Sequence, residues 1–210
     1  MYNAFINAIK PTMEILYFIA GIIVSITAIL ALKQIKIMKH TAEIQSKRDA
    51  LTITSEQCVN YMTNIIKLQN EFNRSLKENQ IHFLDGWEVT ISDNEISLKH
   101  DGKIDYSNFD KMNYATVYNA MEAFATYFIS KVADESVAFN SLGTTYVNTT
   151  EHYLPILLEV NEDGYFRNIV NLYVLWKKRM ISIDLQEQQE NLKRKMKNYH
   201  TEVIKPIGVE

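Results

Sequence analysis

Residues 15–32 run for eighteen positions without a charged side chain, and only Tyr17, Ser25 and Thr27 among them are polar. A helix of that length rises about 27 Å, close to the roughly 30 Å hydrocarbon core of a bilayer once flanking residues are added. Hydroxyl side chains on such a helix can bond to the carbonyl one turn back, so they do not prevent insertion. The stretch predicts one transmembrane helix. Two alternatives compete with it. A cleaved signal peptide carries its positive charge ahead of a shorter apolar run, whereas here Lys10 is opposed by Glu14 and the cations follow. A buried core helix usually keeps charge along one edge, and this one has none.

Lys33, Lys36, Lys39, Lys47 and Arg48 come directly after the run. Positive flanks stay on the cytoplasmic side, so the expected order is a short external tail over residues 1–14, a span over 15–32 and a cytoplasmic domain over 33–180. A polar tail over 181–210, helical or disordered and exposed, completes it. Gly21, Ser25 and Ala28 fall at i, i+4 and i+7, a small-residue stripe on which a second span can approach, giving a homo-oligomer.

The remaining sequence supports one mainly helical domain. Of 210 residues only six are Gly and three Pro, too little punctuation for an all-β fold. No Gly or Pro occurs between Lys33 and Gln80, and Leu51, Cys58, Ile65 and Phe72 recur every seven residues. Ser55 and Gln69 interrupt the partner row, which favours packing within the domain over a free coiled coil. Trp87, Val89 and Ile91, then Ile96 and Leu98, alternate with polar residues around Asp93 and Asn94, the pattern of a small hairpin over about 87–98. Asn113 is placed to cap a helix over about 114–132, and Asp134 another that Gly143 should end. A further helix over about 145–160 should kink or restart at Pro155. The last strong helix begins near Tyr165, with Phe166, Ile169, Val170, Tyr173 and Trp176 turned inward.

Charge is segregated along the chain. Residues 1–77 hold nine Lys/Arg and five Asp/Glu, residues 78–163 four and fifteen, residues 164–210 nine and five. An acidic middle argues against a nucleic-acid surface and favours a protein partner with a basic patch. Two basic clusters, Lys177 to Arg179 and Lys193 to Lys197, either meet anionic lipid or answer the acidic middle. The single Cys58 excludes an internal disulfide or a cysteine-built zinc site, and the five histidines lack metal-ligand spacing. No cofactor or metal is expected.

Two groups are candidates for chemistry. Glu122, on a largely apolar helix with Asn119, is either a general acid or base with a raised pKa or a buried carboxylate paired with Arg167 or Lys177. His152 beside Glu151 or Glu159 is a weak base candidate with no serine or cysteine nucleophile tied to it. Asp93 to Glu95 and Asn161 to Gly164 lack the alternating ligands of a calcium loop and read as solvated turns. No glycine-rich phosphate loop is present.

Residues 118–124, reading YNAMEAF, the ADESV that follows, the aromatic run through Tyr146 and Tyr153 to Pro155, and YFRNIVNLYVLW ending at Trp176 resemble an uncharacterised bacterial family, domain of unknown function 4760. The resemblance covers about residues 40–180, and its marks are Asn119 and Glu122 at an Asn-x-x-Glu step and the aromatic end of the closing helix. It implies a membrane helix joined to a helical domain. The hairpin has no counterpart in it, and it carries over no catalytic residue. The expectation is therefore a membrane-tethered interaction or regulatory module without catalysis. The alternatives are an effector that perturbs the membrane through an oligomerising span, and a tethered enzyme using Glu122 and His152.

Overall fold

The computed structural model describes residues 2–92, 95–160 and 164–199. The chain divides into two compact units, Met1–Ala50 and Leu51–Glu210. Helix α1 (Tyr2–Asn60) supplies the whole described part of the first unit and enters the second. In the first unit one helix is long and apolar enough to cross a membrane, and the side chains of its most apolar stretch are all exposed. Two of the three hydroxyls in residues 15–32 are satisfied within the helix: Ser25 donates to the Gly21 carbonyl at 2.9 Å and Thr27 to the Ile23 carbonyl at 2.8 Å. Gly21, Ser25 and Ala28 are exposed, and nothing lies where a Cβ on Gly21 would be.

The second unit is a helical bundle with one hairpin. Its elements are the end of α1, α2 (Ile66–Glu78), β1 (Trp87–Ser92), β2 (Glu95–His100), α3 (Ala115–Ile129), α4 (Glu135–Glu159) and α5 (Arg167–Asn198). Five residues with π-helical bonding, Tyr61–Ile65, join α1 to α2. One extra residue per turn rotates the apolar face at that point, and Tyr61 and Ile65 both end up buried. The seven-residue row is therefore used in part: Cys58, Ile65 and Phe72 are buried, whereas Leu51 is exposed. Gln69, expected to weaken the row, is buried at 4% exposure because its amide donates to the Tyr61 hydroxyl at 3.0 Å. Burial holds that Tyr61 phenol up at about 12 despite the amide beside it.

Strands β1 and β2 pair antiparallel, with Trp87 opposite His100 and Ser92 opposite Glu95. Alternate residues Trp87, Val89, Ile91, Ile96 and Leu98 pack against the core, and Glu88, Thr90 and Lys99 face out. Asp93 and Asn94, the expected turn, lie outside the described residues, as do Asn161, Glu162 and Asp163. The Trp87 indole donates to the Phe83 carbonyl at 2.7 Å, which ties the hairpin to the preceding loop.

Helix starts and stops depart from expectation in instructive ways. Asp134 caps α4 as its sequence predicts, accepting from the Val137 amide at 3.1 Å. Asn113 does not cap α3, because the helix begins one residue later with Tyr114 at the cap and no side-chain bond there. Gly143 does not end α4, and Pro155 does not restart it; a single helix runs through both. Gly143 serves packing: a Cβ there would come within 2.7 Å of the Phe139 ring, which lies across the glycine. Pro155 is buried among Tyr153, Leu154, Ile156 and Leu157, so tertiary packing outweighs the one lost backbone bond.

The core is aromatic and centres on α5, which packs on α3 and α4. Trp176 is fully buried, with Tyr146 edge-on at 5.0 Å and Phe124, Phe128 and Phe139 around it. A second cluster joins Phe72, Tyr118 and Tyr153 at 5.4 to 6.0 Å. Such edge and tilted pairs add to the burial energy of the rings themselves.

Candidate functional site

Helix α5 starts without a capping side chain of its own, since its N-cap is Phe166 in the left-handed conformation at φ +59°. That leaves the first backbone N–H groups of α5 without partners and with a partial positive charge. Glu122 of α3 supplies what is missing. One carboxylate oxygen accepts from the Asn168 amide N–H at 3.2 Å and its side-chain Nδ2 at 2.8 Å, and the other accepts from the Ile169 N–H at 2.9 Å. Thr126 accepts from the same Asn168 side chain at 3.1 Å.

The expected ion pair between Glu122 and Arg167 or Lys177 is thus not what the fold builds. Arg167 is exposed, and Lys177 pairs with Glu151. A carboxylate half-buried at a helix N-terminus is compensated by amides and the helix dipole, so it needs no cation. Asn119, one turn before Glu122, is exposed and takes no part in these bonds. The clue in the sequence is on α5, where a helix begins at Phe166 and Arg167 with no Ser, Thr, Asp or Asn to cap it. Replacing Glu122 with Ala should cost about 2 kcal/mol, in the range for bonds to a charged acceptor, and Glu122→Gln should cost less because one acceptor survives. Equal and negligible losses in urea titrations of both variants would contradict the capping role.

The other cations near the expected site are also committed. Arg179 meets Glu135 at 2.7 Å and lies 4.7 Å over the Phe139 ring, and Glu135 accepts from the Trp176 indole as well. The Lys177 to Arg179 cluster therefore largely answers carboxylates of α4.

His152 sits elsewhere, at the junction of two shallow recesses. One, about 310 Å³, is bounded by Leu84, Trp87, Asn148, Glu151 and Lys177, and the other, about 410 Å³, by Asn73, Ile81, His82 and Asp85. Glu122 lines neither. Partial burial lowers the His152 pKa below its usual value, an effect that Asp85 partly opposes. His82 bonds to Asp85 at 3.0 Å on the same rim. The Tyr173 hydroxyl is buried beside Glu151, and burial together with the Glu151 carboxylate pushes its pKa up. Among the described residues no hydroxyl or thiol bonds to His152, and no group of three His, Cys, Asp or Glu is placed to hold a metal. The rims of the two recesses carry side chains of both signs, Glu151 and Asp85 beside Lys177 and Lys77.

Comparison with protein families, with curated proteins and with solved structures finds no match for this chain.

Proposed function

We propose that this protein is a membrane-tethered module that acts by binding, with residues 15–32 as the tether and the helical bundle as the cytoplasmic interaction domain. One observation carries the reading: an apolar, charge-free stretch of α1 whose side chains are all exposed, a surface far larger than a soluble chain leaves to water. The bundle supports the binding half. Glu122, the one acidic group on α3, is engaged as a cap, and it lines neither of the recesses at His152. That separation favours binding over the enzyme alternative.

The partner surface is the acidic one presented by the hairpin and the loop after it. Glu88, Glu95, Asp101 and Asp110 are exposed there, with Lys99 beside Asp101 at 3.8 Å. A partner with a basic patch recognises such a surface mainly through charge. Full-length protein in nanodiscs should therefore release its partner as salt rises, and Glu88→Lys with Glu95→Lys should weaken capture at low salt. A partner retained at about 1 M salt, where the screening length is about 3 Å, and indifferent to the charge reversal would contradict the assignment.

A further inference from the structure

Helix α5 outlasts the bundle it helps to build. Ile169, Leu172, Tyr173 and Trp176 are buried, but beyond Met180 exposed apolar side chains return at Ile181, Ile183, Leu185, Leu192, Met196 and Tyr199, the last 82% exposed. At about 100° per residue all but Ile183 fall within one narrow stripe, on roughly the opposite side of the helix from the residues that face the bundle. The stripe is therefore not a continuation of the core pattern, and it faces something other than the bundle.

Its neighbours indicate what. The exposed Lys193 and Lys195 flank the stripe on either side, while Arg194, on the side away from it, lies 3.8 Å from Glu190. Long cationic side chains bordering an apolar stripe are the arrangement of a helix lying at a lipid surface. A second copy is a poorer occupant, because Gln188 and Lys195 fall where a coiled-coil seam needs apolar residues.

We propose that residues 192–199, at the end of α5, form a second membrane contact, with Leu192, Met196 and Tyr199 in the headgroup region and the flanking Lys193 and Lys195 on anionic lipid. The inference rests on the tether reading above. A tethered chain needs only weak extra affinity to stay docked, since the span already holds the segment at high local concentration.

The test is hydrogen–deuterium exchange on the full chain in nanodiscs of phosphatidylcholine, alone or with a third of phosphatidylglycerol. Peptides covering 192–199 should exchange about ten-fold more slowly with anionic lipid, and replacing Lys193 and Lys195 with Gln should abolish that difference. Exchange that is equal in the two lipids, or protection that appears only with two copies per disc, overturns the proposal. Exchange across 15–32 is the separate readout: if that stretch is unprotected in both lipids, the tether reading itself fails.

Discussion

Replacing Trp176 with Ala should destabilise the bundle by about 3 to 5 kcal/mol, the usual cost of removing a large aromatic from a packed core. Trp176 is the largest fully buried side chain, and it touches residues from α3 and α4 at once through Phe124, Phe128, Phe139 and Tyr146. Its loss leaves a cavity where three helices meet. It also removes the indole donor of Glu135, whose bond from Arg179 stays. Trp176→Phe keeps much of the packing and should lose less. Chemical denaturation of the solubilised chain, followed by circular dichroism, measures both. A loss below about 1 kcal/mol for the Ala variant, typical of surface positions, would mean that this cluster is not the centre of the core.

The other large effect belongs to the apolar segment. Ile22 and Ile26 lie one turn apart and are exposed. Changing both to Arg should make insertion about 6 to 8 kcal/mol less favourable on an insertion scale for the centre of a helix. The variant should disappear from carbonate-washed membranes while the natural chain stays. Equal retention would mean that the segment is held by something other than lipid.

Much of this architecture is legible from periodicity and composition. The charge-free run, the alternating residues of the hairpin and the Asp134 cap are local patterns that appear as expected, and of the inward row Ile169, Tyr173 and Trp176 are buried while Phe166 and Val170 are half-buried. What stays hidden depends on partners distant in sequence. Gly143 and Pro155 look like breaks, but the ring of Phe139 and the surrounding core hold α4 together. Gln69 looks like a surface residue until Tyr61 is placed beside it by the π-helical turn. Glu122 looks like half of an ion pair because charge alone suggests a cation, whereas the groups that meet it are backbone amides, invisible in any count of charged residues. The candidate cleft at His152 is equally non-local, since its walls come from the loop before the hairpin, α4 and α5.

The side of the membrane on which the bundle lies is the most direct test of the tether. Cys58 is a poor reporter, because it is buried at 7% exposure and burial pushes its thiol pKa up. Ser97, on the outward face of the hairpin, is exposed. In a Cys58→Ala, Ser97→Cys chain, a membrane-impermeant maleimide applied to sealed vesicles gives the measurement. The lysines after the span predict labelling in inverted vesicles and protection in right-side-out ones. Labelling in right-side-out vesicles, or a chain that leaves the membrane fraction on carbonate washing, would contradict the account.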